Sequence, residues 1–410
     1  MKQRADLTFK ENLSRGRHGW LRLTPAYSVK VVGEILDENK DFRRVLEPFS
    51  GTATTGLVCG ERGIASDGFD INPFLVWFGG VKTSNHSEES RREALALLAD
   101  LPKKLQRGSW VPPIFDIERW WSKSRIELLS DLHGWLISLP PGSSRDLLTV
   151  AFCRCVIDWS NAAFNHQSMS FKDAGPTLFD EHERDQLLGE YTHTARGVIE
   201  STALPVPGQV RVLHGDSREV QAQDEPYDAL ITSPPYPNRM SYIRELRPYM
   251  YWLGYLTHAR QAGELDWQAI GGTWGIATSL VEKWRPNGVA VEHPGFDEMV
   301  GQITARSPVL ANYVHKYFVD MTLHIRSAAA LLRPRGRAFY IVGNSKFFDT
   351  MVHVEEIYAS LMRAAGFESV RIDKIRKRNS KKELFEFAVS GSNACKAAKQ
   401  KEPKQELSLV

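Results

Sequence analysis

The stretch RRVLEPFSGTATTGLVCGERGIASDGFDINP, Arg43 to Pro73, opens with a short apolar run and enters a turn at Gly51. A helical segment comes next, and IASDGFDINP then supplies a second strand, closed by an acidic residue and a proline. Strand, turn, helix and strand in so short a span are half of an α/β unit. The same rhythm resumes in QVRVLHGDS (Gln209 to Ser217) and continues through YDALITSPPY (Tyr227 to Tyr236). It returns after a long helix, Tyr313 to Leu332, in GRAFYIVGNS, and GFESVRIDKIRKRN with ELFEFAVSG reads as a closing hairpin. The expectation is an α/β fold: one doubly wound, Rossmann-like sheet, mostly parallel, with a C-terminal antiparallel hairpin and a largely helical insertion.

The rhythm breaks twice. From about Ser84 to Leu204 the sequence is charged, rich in Trp and helical in period, most clearly in RREALALLADLPKKL and RDLLTVAFCRCVIDWSN. The chain therefore divides into a first part of the sheet domain at 1–83, an insertion at 84–207, and a second part at 208–390 interrupted at about 256–310. The lysine-rich remainder, 391–410, is expected to be disordered. Lys and Arg number 52 against 49 Asp and Glu, so net charge neither demands nor excludes nucleic acid, and a local basic surface would have to bind it.

The four cysteines, Cys59, Cys153, Cys155 and Cys395, lack disulfide or zinc-ribbon spacing, which points to a reducing compartment. Cys153 and Cys155 lie in an apolar helical stretch and read as core packing rather than as metal ligands with His166; no metal is expected. MKQRADLTFKENLSRGRHGW has no apolar export region, and no apolar run reaches a membrane-spanning length. A cytoplasmic chain without membrane contact is the expectation.

In LEPFSGTATTG, Gly51 lets the backbone approach a ligand closely, and Thr54 and Thr55 can cap the next helix, whose N–H groups face the same way. Neither G-x-G-x-x-G nor G-x-x-x-x-G-K-[ST] is present, which removes support from dehydrogenases and P-loop enzymes. Asp70 stands where an open α/β fold places a carboxylate for ribose hydroxyls, or else it caps the helix at DINP. Asp216, one strand further along, can receive the amine of an adenine. In TSPPY the two prolines stop a strand and stiffen the edge that presents Ser233, Pro234, Pro235 and Tyr236.

TSPPY resembles motif IV of the amino-group DNA methyltransferases, written [DNS]-P-P-[YFW]. EPFSGTATTG is similar to their motif I, Asp70 falls at motif II, Asp216 at motif III, and RHGWLRLTPAYSVKVV resembles motif X. GRAFYIVGNS and RKRNSKKELFEFAV look like the strands that close that fold, so the resemblance spans most of 15–390 outside the insertions, in the order X, I, IV. One departure is Ala53, where the family often has a second glycine; the extra methyl is expected to cost little.

The resemblance implies S-adenosylmethionine as cofactor, held by Thr24, Pro25, Tyr27, Glu47, Phe49, Ser50, Gly51, Thr54, Thr55, Asp70, Asn72, Asp216 and Ser217. It also implies methyl transfer to the exocyclic amine of a flipped-out base. Acceptors at Ser233 and Pro234 would make that nitrogen more nucleophilic, and Tyr236 would stack on the base. No cysteine follows a proline, which disfavours ring-carbon methylation, and Ser at the first motif position resembles the cytosine-N4 enzymes more than the adenine-N6 ones.

Double-stranded DNA is the implied partner, with a separately encoded restriction endonuclease as a possible companion. Asn165, His166, Gln167 and Ser168 could read bases or form an ordinary capped loop. Arg239 and Arg244, and Arg376 and Arg378 in KIRKRNSKK, could hold phosphates or belong to a helix and a solvated turn. An RNA or protein amine methyltransferase, and a methyltransferase-like module that binds without turnover, stay open as alternatives.

Overall fold

The computed structural model describes residues 7, 9–21, 27–163, 170–171, 181–221, 225–273, 275–378 and 383–394. Thr24, Pro25, Asn165, His166, Gln167, Ser168 and the tail from 395 lie outside the described residues. Seven strands make the main sheet: β1 (Arg44–Glu47), β2 (Ala65–Asp70), β3 (Val210–His214), β4 (Tyr227–Thr232), β5 (Leu332–Gly343), β6 (Phe367–Lys377) and β7 (Phe385–Asn393). Their spatial order is β6-β7-β5-β4-β1-β2-β3. Neighbours from β5 to β3 pair in parallel. β7 runs antiparallel to both β5 and β6. The mixed, doubly wound sheet with its antiparallel hairpin is the one the sequence implied.

Alternation along the strands sends side chains to two separate cores. Leu46, Leu230, Tyr340 and Val342 pack with helices Pro308–Leu331 and Val354–Ala364 on one face. Val45, Ala229, Ile231 and Ile341 pack with helix Val29–Glu38 and with Val58 and Cys59 on the other. The long helix begins at Pro308 rather than at Tyr313, because Ser307 caps it by accepting from the Leu310 N–H and Pro308 fits the first turn.

The first insertion contributes helices Glu88–Lys104, Lys123–Ser138, Ser143–Asp158 and Glu181–Glu200. Its apolar faces, with Trp121, Leu129, Phe152, Cys153 and Cys155, share one core with Phe74 and Phe78 of helix Pro73–Thr83 and Leu246 and Trp252 of helix Tyr242–Trp252. Both thiols are buried in this core, and burial pushes them up. Phe74 stacks on Tyr249 with centroids 5.2 Å apart. Arg17 ties the amino-terminal segment to this layer by donating to the carbonyls of Lys82, Ser84, Thr202 and Leu204.

Because the helices that flank the strand ends also seat the insertion, the two unfold together. Phe78→Ala should cost about 3–5 kcal/mol. Far-UV circular dichroism and the fluorescence of the insertion tryptophans should report one coincident urea transition in both proteins; an early, separate fluorescence change would refute the shared core.

Candidate active site

The strand order reverses between β1 and β4, so the connections leaving their carboxyl ends diverge and open a crevice there. The ends of four adjacent strands line it: Phe49, Ser50, Gly51 and Thr54 after β1, Asp70 and Asn72 after β2, Asp216 and Ser217 after β3, and Ser233 and Pro235 after β4. Tyr27, Tyr242, Leu246 and the segment Gln268 to Ile270 close the remaining walls around roughly 900 Å³ of free space that opens to solvent.

The turn after β1 is built by backbone geometry. Gly51 sits at φ +52°, and a side chain added there would point into open space. Ala53 also has positive φ, +53°. Left-handed backbone disfavours any Cβ, so alanine at this position carries strain of roughly 1–2 kcal/mol, more than the sequence suggested. From below, the buried Lys82 ammonium donates to the Thr52 carbonyl at 2.5 Å, and burial lowers its pKa to about 7.

Thr54 and Thr55 do not cap the helix Thr54–Glu61. Its N-cap is Ala53, with no side-chain cap bond. The buried Glu47 carboxylate takes that role, accepting from the Thr55 and Gly56 N–H groups at 3.3 Å each and from the Tyr27 hydroxyl. Burial raises Glu47 to about 7. Glu47 and Thr55 therefore stand behind the crevice wall and support it, rather than meeting a ligand, while Tyr27 forms the wall itself.

Asp70 accepts from the Gly51 N–H at 2.8 Å and the Asn72 N–H at 2.9 Å, while Asn72, not Asp70, caps the next helix through Phe74 N–H. Burial raises the Asp70 carboxyl to about 6 against the pull of those two N–H groups. Burial would raise Asp216 as well. Its hydrogen bonds from Arg218, at 2.6 Å to Oδ2, outweigh that and hold it below the usual range. The Ser217 carbonyl is fixed by the Nδ1–H of His324, whose Nε2 accepts from Tyr340 and whose ring packs on Phe49. Burial lowers His324 to about 4, so it stays neutral.

At the other end, the Ser233 hydroxyl donates to the Ile341 carbonyl at 3.1 Å. The Pro235 carbonyl accepts from Tyr317 at 2.7 Å, and the Tyr236 N–H donates to the Tyr242 hydroxyl. No donor among the described residues reaches the Pro234 carbonyl. Tyr236 stands just outside the crevice lining, its hydroxyl donating to the buried Glu386 carboxylate at 3.0 Å and its ring beneath the Arg378 guanidinium at 5.3 Å.

Arg376 grips Glu386 through two bonds of 2.7 and 3.0 Å, and Arg378 donates to the Asn344 carbonyl. The sequence left both open to phosphate or to a solvated turn; in the fold their guanidinium groups are committed to the hairpin and to Tyr236. Arg239 is exposed, and Arg244 lies in the first turn of helix Tyr242–Trp252.

Sequence reasoning missed Arg218, Lys82, Tyr317, Glu386 and the Gln268 to Ile270 wall. Arg218 was within reach, two residues after a strand-end aspartate. Neither Lys82 nor Tyr317 carries a local signal of its long-range partner.

No protein-family model matches the chain. It is similar to two curated proteins, the Type II methyltransferase M.AvaI of Nostoc sp. and that of Anabaena variabilis, each 22% identical over 92% of this chain and 85% of theirs. That nearly full-length likeness supports a methyltransferase relationship. Two solved structures of the rRNA methyltransferase aviRa from Streptomyces viridochromogenes align over 94% of this chain and 93% of theirs, at 12% identity and a TM-score of 0.33.

Asp70 makes stability pH-dependent with a definite sign. A carboxyl raised on folding binds protons more tightly in the native state, so its contribution is full at low pH and is lost as pH rises from about 4 through about 6. In urea titrations at pH 4.5 and 6.5, Asp70→Asn should remove that decline, on the order of 2 kcal/mol. Parallel pH profiles for the two proteins would contradict the burial of this carboxyl.

Proposed function

We propose that the chain is a DNA methyltransferase that uses S-adenosylmethionine to modify the exocyclic amine of a flipped-out base, with cytosine N4 as the target. The nearly full-length likeness to Type II methyltransferases supports the reading, and the commitment of the Ser233 proton carries it. A hydroxyl has one hydrogen to give; with it spent on Ile341, Oγ meets an incoming group only as an acceptor. The Pro234 carbonyl is the second acceptor. Two acceptors facing the two N–H bonds of an amine draw its nitrogen toward tetrahedral geometry and free its lone pair.

The residues present fit the cofactor. Ser50 Oγ is buried and without a partner among the described residues, and it lines the crevice beside the Gly51 turn. Asp70, which accepts one N–H at each oxygen, has lone pairs left for ribose hydroxyls, and Asp216 is the acceptor for an adenine amine. Bound there, S-adenosylmethionine supplies an electrophilic methyl group. The chain's own contribution is alignment and exclusion of water, which together remove several kcal/mol of barrier. Tyr236 is the aromatic ring for the extruded base to stack on, worth about 1–3 kcal/mol once the Arg378 guanidinium leaves its face.

Double-stranded DNA is the proposed partner, met by Arg239, Arg244 and the segment carrying Asn165, His166, Gln167 and Ser168, with a separately encoded restriction endonuclease acting on the same site. Ser at the first motif position favours cytosine N4 over adenine N6.

Plasmid DNA incubated with the protein and isotope-labelled S-adenosylmethionine, then digested to nucleosides for mass spectrometry, should yield labelled N4-methylcytosine. Labelled N6-methyladenine would move the target, and label found only in RNA or protein would overturn the DNA reading. Ser233→Ala should bind the cofactor almost normally yet transfer methyl about a hundredfold more slowly or worse. Wild-type rates in that variant would remove Ser233 from the chemistry.

A further inference from the structure

The second insertion meets the crevice through one short strap, Gln268 to Gly272, at the end of helix Ala259–Gln268. Gln268, Ala269 and Ile270 form part of the crevice wall. Gly271, at φ +77°, comes so close to the rim that an added Cβ would lie 3.8 Å from Pro235 Cβ and 3.6 Å from the Tyr317 ring. At Gly272 a Cβ would stand 1.6 Å from the Asp266 carbonyl, so only glycine lets the strap turn back on its own helix. The strap thus runs between the nucleoside end of the crevice and the serine-proline-proline rim.

One side chain secures its near end. Arg218 Nη2 donates to the Gln268 carbonyl at 2.7 Å and to Asp216 Oδ2 at 2.6 Å. Its Nε spans both Asp216 oxygens at 3.0 and 3.1 Å, and Nη1 reaches Asp320 at 3.3 Å. Lys316 holds the other oxygen of Asp320 at 2.7 Å, and its ammonium lies over the Trp267 ring at 4.7 Å. A planar guanidinium with fixed donor directions can join these three groups in one geometry, which the point charge of a lysine cannot reproduce.

We propose that Arg218 is a positioning residue that sets donor selectivity: it orients Asp216 as the acceptor for an adenine amine and latches the Gln268 to Gly272 strap over the bound nucleoside. Arg218 acts through Asp216 and the strap and need not touch the cofactor itself. The inference rests on the cofactor reading above.

Calorimetry with S-adenosylhomocysteine and with its inosine counterpart, which carries a 6-oxo group in place of the 6-amino group, separates the possibilities. The wild type should bind the adenine compound and reject the other. Arg218→Ala should bind S-adenosylhomocysteine about tenfold more weakly, as expected for loss of charged hydrogen bonds, and discriminate less between the two. Amide exchange at Gln268, Ala269 and Ile270 should quicken in the same variant. Should that variant fail to fold, Arg218→Lys and Asp320→Asn, which retain part of the network, should each give intermediate selectivity. Unchanged affinity ratio and unchanged exchange in a folded Arg218 variant would overturn the proposal alone. Failure of the wild type to bind S-adenosylhomocysteine would overturn the cofactor reading and this inference with it.

Discussion

Backbone hydrogen bonds hold β4 beside β1 with Val45 opposite Ala229 and Leu46 opposite Leu230, and that register fixes how Gly51 and Ser233 face one another. Parallel pairing sends both chains out at the same edge, and the reversal of strand order carries their outgoing loops apart. Shifting β4 by one residue would turn Leu230 to the opposite core and carry Ser233 away from the Ile341 carbonyl. The two apolar layers therefore specify the crevice as firmly as its polar residues do. Leu46 and Leu230 are buried on one face and Val45 and Ala229 on the other, so a slip would exchange large and small side chains between the two cores.

Around that crevice most polar groups are already spent on one another. Glu47 satisfies the helix end, Lys82 the Thr52 carbonyl, Tyr317 the Pro235 carbonyl and His324 the Ser217 carbonyl. The remaining capacity in the lining is mostly that of acceptors, Ser233, Asp70 and Asp216, with the unpartnered Ser50 hydroxyl beside them. Such a surface suits a ligand rich in N–H and O–H donors. The internal satisfaction of the supporting groups also keeps the acceptors from rotating toward competing partners, since each supporting donor would be left unpaired in a dry environment.

The alternation of apolar runs with helical periods was enough to read the sheet, its hairpin and its helical insertion, because strand burial and helix amphipathicity are written locally. Gly51, Asp70, Asp216 and Ser233 were legible for the same reason: strand ends are marked by turn residues. Their partners were not. Arg218 joins Gln268 and Asp320, Arg17 joins Thr202 and Leu204, and Tyr236 joins Glu386, each across a long separation in sequence. Local patterns carry no record of such closures. The capping of the first helix was misread because threonines at its start are good caps in isolation, whereas a buried glutamate from the preceding strand reached the same N–H groups first.

Ala53 in the turn after β1 bears on how that loop responds to a visitor. Glycine takes left-handed backbone freely, whereas alanine is roughly 1–2 kcal/mol better off elsewhere and stays only because the bonds around the turn, Ser50 N–H to the Phe69 carbonyl, Ala53 N–H to the Ser50 carbonyl and Gly51 N–H to Asp70, hold it there. The turn therefore keeps its contour only while that surrounding frame is intact. A single methyl thus makes this contour borrow its persistence from the neighbouring strands rather than from its own residues.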